Sequence, residues 1–312
     1  MSYYKYRLAC IGTWLLFPFL LLANSVEQPY VTCRLMGQLG NQLFQIATTL
    51  AYAWDHQARP IFPELDKSDY AQSYNRNRIF FRLDNSPLPR PFTQIFNGPI
   101  GYTPITYCPD HYLVGFFQSW KYFHHHRDKL LQVFAPSEID CYYLLFKYGE
   151  LLSHPNTVSV HVRTYDAPLH YGKMFPFVGL EYYKKALDLF PSDTLFVVFS
   201  DRINWCKHHF ANFKDKNMIF IEGNDYIQDL FLMSLLKHHI LANSTFSWWA
   251  AYLCQNPHQM VVAPSDWTHP DYVGAPNLDD LYFPHWIRIP YDYNAPYPAD
   301  MQDYESKSLD NK

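Results

Sequence analysis

The chain has 312 residues, a formal net charge of −4, 48% hydrophobic residues and 19% aromatic residues. That content supplies a full core for two domains or one large one, and no basic block suits nucleic acid. Six cysteines without a CxxC pair exclude a zinc knuckle and are too few for a disulfide scaffold, although one or two bridges would fit an exported chain.

Lys5 and Arg7 precede an apolar run from Leu8 to Ala23. Its length falls between a signal-peptide core of roughly 7–15 residues and a bilayer helix of about 20. Ala23-Asn24-Ser25 suits cleavage. A cleaved signal peptide, an uncleaved signal anchor and a buried apolar segment all fit residues 1–25. The basic flank would keep the amino end cytoplasmic and send the rest across. The chain would then be secreted or held as a single-pass membrane protein, with a cytoplasmic placement still open.

Val31–Leu35 reads as a short strand. It leads into the glycine-containing loop Met36 to Asn41. Leu43, Ile46, Ala47, Leu50 and Ala51 then share one face of a helix over Gln42–Trp54. A strand, glycine loop and helix in this order present backbone N–H groups to an anion. Residues 60–115 are rich in proline, tyrosine, asparagine and arginine without a period, and read as loops and short strands. Trp120–Val133 and Ser137–Leu152 read as helices. The second half alternates strands at 157–162, 194–199, 218–221, 239–242 and 260–263 with helices at 180–190, 202–210, 226–237 and 246–254. That alternation indicates an α/β domain with a parallel sheet. After Asp266 the chain reads as irregular, and the tail 291–312 as frayed. The histidine runs at 124–126, 208–209 and 238–239 show no ligand spacing and read as solvated helix faces.

In such a fold, ligands sit beyond the carboxyl ends of the strands, and three strand ends carry polar groups. His161 and Arg163 follow the first strand of the second half and point the same way. A guanidinium there can fork onto phosphate, while a core histidine and an Arg163–Asp166 pair would explain the same residues. Phe199-Ser200-Asp201 ends the next strand, where Asp201 can serve a site or cap a helix. Asn243 to Trp249 joins a strand to a helix and offers Ser244, Thr245 and Ser247 to a phosphate. Asn243-Ser244-Thr245 is also a glycosylation sequon, but a buried turn argues against its use.

In these residues the sequence resembles the α-1,2-fucosyltransferases of glycosyltransferase family 11. Gly37-Gln38-Leu39-Gly40-Asn41-Gln42-Leu43-Phe44-Gln45 is similar to the family's first motif, Gly-Gly-Leu-Gly-Asn-Gln-Met/Leu-Phe-Gln. His161 to Asp166 is similar to His-x-Arg-Arg-Gly-Asp, and Phe199-Ser200-Asp201 with Trp205-Cys206 to a Phe-Ser-Asp-Asp-x-x-Trp-Cys segment. Lys237 to Trp249 and Val261 to Trp267 resemble two further blocks. Together they span 31–267 in order, which makes the resemblance specific.

The resemblance implies a GT-B fold: two Rossmann-like halves facing a cleft, an acceptor-side half at 26–155 and a GDP-fucose-binding half at 156–290. It implies inverting, metal-independent transfer of fucose from GDP-fucose to a galactose-containing glycan, with no cofactor. Arg163 would clamp the pyrophosphate, with His161 near the guanine or phosphates. Asp229 would hold the guanine, and Thr245 and Ser247 would reach phosphate oxygens. Gly37, Gly40 and Asn41 would border the cleft, and Asp201 would join the donor site. Asp166 is the candidate base, with His170 and Asp201 in reserve. Thr164 stands where the family has a second arginine, Tyr165 where it has glycine, and Arg202 where it has a second aspartate. Loss of a cation weakens leaving-group stabilisation, so a catalytically weakened GDP-sugar-binding protein is the alternative, beside a fucosyltransferase with another acceptor.

Overall fold

A computed structural model describes residues 27–165, 174–272, 277–295 and 297–304. The signal or anchor expected at 1–25, and both Asp166 and His170, lie outside these residues. No described helix is long and apolar enough to cross a membrane.

The first half carries a parallel sheet in the order β2-β1-β4-β3: β1 (Tyr30–Cys33), β2 (Arg59–Pro60), β3 (Gln94–Asn97) and β4 (His111–Val114). Helix α1 (Leu39–Asp55) packs on β1 through an almost wholly buried surface. Segment 60–115, which has no sequence period, also holds a short helix, α2 (Gln72–Arg78). Seven residues are too few for periodicity to show. The helix expected at 120–133 is two one-turn 3-10 segments followed by α3 (Arg127–Val133). Helix α4 (Glu138–Ser153) starts at Ser137, whose hydroxyl accepts from Asp140 N.

The second half is a six-stranded parallel sheet: β5 (Thr157–Val162), β6 (Leu195–Ser200), β7 (Asn217–Phe220), β8 (His238–Ile240), β9 (Val261–Pro264) and β10 (Ile287–Ile289). Its order is β10-β9-β8-β5-β6-β7. The chain therefore steps outward from β5 through β6 and β7, then returns to the other side of β5 for β8. That reversal is the topological switch point at which doubly wound sheets bind ligands. Helices α5 (Gly179–Leu187), α6 (Ile203–Phe210), α7 (Tyr226–Leu235) and α8 (Thr245–Leu253) link the strands.

Three expectations need correction. The segment after Asp266 contains α9 (Leu278–Leu281) and the edge strand β10, which pairs with β9. The described part of the tail is docked: Met301 is fully buried, and Arg202 donates to the carbonyls of Met301 and Tyr304. The histidine runs are solvated only in part: His125 and His208 are exposed, but His209 and His239 are not free surface residues. His239 is fully buried in β8 against the Ser159 hydroxyl at 2.8 Å, because β8 lies inside the sheet. His209 pairs with Asp300 at 2.6 Å.

The halves share one core. Phe44 on α1 meets Trp248 and Trp249 on α8 at ring distances of 4.5 and 5.2 Å, and Phe123 stacks on Trp249. A buried phenylalanine of this kind contributes about 1.5–3 kcal/mol. The first and fourth sequence blocks thus pack on each other. The five described cysteines are free.

Candidate active site

Strand register places the first two polar strand ends together. His161 pairs with Phe199 and Val162 with Ser200, so the exits of β5 and β6 lie side by side. Arg163 Nη1 donates to Asp201 Oδ2 at 2.8 Å, and Thr164 N donates to Asp201 Oδ1 at 3.0 Å. Asp201 therefore fixes both the guanidinium and the backbone leaving β5. Arg163 also lies 5.2 Å over the Tyr165 ring. Tyr165, at the motif's glycine position, has φ +45°, in the left-handed region that disfavours bulky side chains. Its neighbours hold it there. Its ring stacks on Phe175 and its hydroxyl donates to Asn243 O, while Tyr297 OH reaches the carbonyls of Thr164 and Tyr165.

His161 is nearly buried, and its Nδ1 has no partner among the described residues. Burial, helped by the Arg163 charge, pushes its pKa down to about 3. The cleft therefore holds a neutral imidazole at neutral pH.

Two helix starts complete this wall. Helix α1 begins after Gln38 and α8 after Ser244; neither has a side-chain cap or an acid in its first turn. Each leaves backbone N–H groups open to an anion, reinforced by the helix dipole. Helix α7 contrasts with them, closed by a capping box of Asp225 and Gln228. The two open starts are pressed together: a Cβ on Gly40 would stand 2.4 Å from Thr245 Oγ1 and 2.6 Å from Thr245 C. Asn243 sets the turn before α8, its Nδ2 donating to Pro176 O and Trp267 O. That bonding, with full burial, removes it as a glycosylation site.

The cleft of about 1050 Å³ runs from these groups towards Tyr70 and Tyr74 of the first half and Asn224, Tyr226 and Asp229 of the second. Contacts bridge its rim. Tyr226 OH donates to Asn75 Oδ1 at 2.6 Å, and Arg78 and Tyr74 both donate to Asp225 Oδ2. Burial raises the Asp225 pKa, but bonds from Gln228, Arg78 and Tyr74 outweigh it and leave the carboxyl below its ordinary range. Asp229 is mostly buried, its Oδ1 accepting from Asn224 Nδ2 at 3.1 Å.

The structure brings Gly40, His161, Arg163, Asp201, Asp229 and Thr245 into this cleft. Three other candidates turn away. Ser247 is fully buried and its hydroxyl donates to Ser244 O at 3.1 Å. Gly37 makes the loop turn at φ +70°, its carbonyl accepting from Gln42. Asn41 accepts from Gln118 Nε2 at 2.9 Å. Arg202 points to the tail rather than the cleft. Tyr70, Tyr74, Asn75 and Tyr226 were not among the sequence candidates. Tyr70, Tyr74 and Asn75 fall in the tyrosine- and asparagine-rich stretch, which has no period to show which residues face inward, and Tyr226 is the first residue of α7. The metal-ligand grouping found among the described residues, Asp55 with His125 and His126, lies outside the cleft.

Two parallel sheets flanked by helices meet over a cleft lined by open helix starts and a fixed arginine, which defines an α/β protein. Residues 100–290, well over half the chain, match glycosyl transferase family 11, and the chain belongs to that family. It is thus a glycosyltransferase. It is 28% identical to an α-1,2-colitosyltransferase of Escherichia coli over 83% of this chain and 98% of that protein. It is 26% identical to galactoside 2-α-L-fucosyltransferase Sec1 of Mus musculus, over 85% of this chain and 75% of that one. Fucosyltransferase NodZ from Bradyrhizobium shares the fold, with a TM-score of 0.52 at 13% identity over 72% of this chain and 93% of NodZ.

Proposed function

We propose that this chain transfers L-fucose from GDP-L-fucose to the 2-hydroxyl of a galactoside, with inversion, on a GT-B framework of two halves. The observation that carries the reading is the meeting of Arg163 with the open starts of α1 and α8 at the switch point of the second sheet. The relatives named as galactoside fucosyltransferases supply the donor and acceptor classes.

In this reading the diphosphate lies across the exits of β5 and β8. Negative charge grows on it as the fucose C1–O bond breaks. Arg163 and the helix N–H groups meet that charge, which is where fixed donors lower a barrier most. The neutral His161 can donate one hydrogen bond to the donor without competing as a charge. Asp229 and Asn224 offer an acceptor and an amide to the guanine edge. The acceptor hydroxyl attacks from the opposite face and gives its proton to a base. Asp201 is committed to Arg163 and Thr164 N, so it positions the arginine, and Asp166 remains the proposed base.

The test incubates the purified chain with GDP-fucose and lactose or N-acetyllactosamine, following GDP release and the product linkage by NMR. GDP-colitose runs beside it because of the Escherichia coli relative. The expected result is an α-1,2-linked product whose formation is lost in Arg163→Ala. GDP binding without transfer to any galactoside would refute the assignment in favour of a catalytically silent GDP-sugar-binding protein, the reading that Thr164 supports.

A further inference from the structure

Away from the cleft, the far end of α1 meets the turn that precedes α3. Asp55 closes α1, and His125 and His126 lie on the one-turn segment His124–His126. His126 Nε2 stands 2.7 Å from Asp55 Oδ1, and His125 Nε2 stands 3.0 Å from Oδ2. The three ligand atoms all lie within 4.8 Å of one another. In a tetrahedral zinc shell with bonds of about 2.1 Å, neighbouring donor atoms stand roughly 3.4 Å apart. The two histidine–carboxylate spacings must open, by up to about 0.7 Å, to reach that value, a shift that exposed side chains can make.

Direction agrees with distance. Both imidazoles present the same nitrogen to the same carboxylate, so the three donor groups face one another. The Trp54 ring packs edge-on against His126, with centroids 5.2 Å apart, and steadies it. His125 and Asp55 are open to solvent, at 48% and 40% side-chain exposure, so an ion can enter and water can complete its shell. Asp55 lies seventy residues before His125, which is why local spacing hides the cluster.

We propose that Asp55, His125 and His126 form a site for a borderline divalent metal of the zinc type, separate from the active site. Two imidazoles and one carboxylate select such ions over magnesium and calcium, which take oxygen ligands. At about 1.5 Å per residue, Asp55 stands roughly 22 Å along α1 from Gly40. The ion therefore takes no part in transfer. It clips the end of α1 to the turn whose His124 packs on Phe283 of the second half.

The experiment titrates the full chain, freed of metal by chelation, with zinc in a calorimeter, and repeats the titration with magnesium. Asp55→Asn and His126→Gln are measured in parallel, with metal-free circular dichroism confirming that each variant folds. The expected result is one zinc event in the parent chain, weakened at least tenfold in both variants, with no magnesium event. Zinc should also raise the parent Tm reversibly to EDTA, and leave that of either variant unmoved. An isotherm unchanged by both substitutions, or equal uptake of magnesium, would overturn the proposal.

Discussion

Gly40→Ala isolates the contact on which the cleft is built. The new Cβ would stand 2.6 Å from Thr245 C and 2.7 Å from Phe246 N, both backbone atoms, besides 2.4 Å from Thr245 Oγ1. Ordinary contact begins at 3.4 Å, so the start of α8 must retreat by about 0.8 Å from α1. The aromatic packing of Phe44 on Trp248 and Trp249 resists that retreat. Overpacking of this kind costs about 1–3 kcal/mol, a Tm fall of several degrees in a chain of this size. It also spreads the two open helix starts, so GDP affinity should fall at least tenfold by calorimetry. Thr245→Ala removes only the hydroxyl clash and leaves both backbone clashes. The double variant Gly40→Ala/Thr245→Ala should therefore stay as weak as Gly40→Ala. Full recovery of GDP affinity in the double variant would refute the argument, because it would show that a movable side chain, not the backbone, set the limit.

Asp201→Asn removes the charge that orients Arg163. A hydrogen bond to a charged group is worth about 1.5–3 kcal/mol, so KM for the donor should rise about tenfold or more, with a smaller change in kcat; an unchanged KM would contradict the positioning role. Thr164→Arg, which restores the family's paired arginines, should lower Tm rather than raise the rate, because Thr164 is fully buried and a guanidinium there must shed its water; a faster, equally stable enzyme would contradict this. His161 and His239 are each held neutral, with burial the main cause and pKa values of about 3. Once unfolded, each takes a proton near pH 6.5. Stability should therefore be level above that value and fall as pH drops towards 3, by about 2 kcal/mol per group at pH 5. Urea unfolding at pH 7.5 and 5 checks this, and His239→Gln should flatten the fall.

The parallel sheet of the second half was legible because its strands are short apolar runs between helical periods, and β5 lies at the residues expected. Strand ends then located His161, Arg163 and Asp201. Sequence could not show that Asp201 faces Arg163, since that depends on the register of β5 against β6. Strand β10 escaped because its three residues include exposed Ile287 and Arg288, as an edge allows. The tail's docking depends on Met301 and on carbonyls that Arg202 reaches, and a carbonyl leaves no mark in a sequence. Ser247 lies in the core rather than the cleft because one residue's step around a helix decides between the two.

The glycine of the first half rests on the threonine of the second, and both face the place where donor phosphate is expected. A chimaera joining residues 27–155 of one relative to the remainder of another must match that seam and its aromatic box together. The rim adds a second constraint, because Tyr74 of the first half donates to Asp225 of the second. The two halves are thus inherited as a pair, each free to change only where it leaves the other's contacts in place.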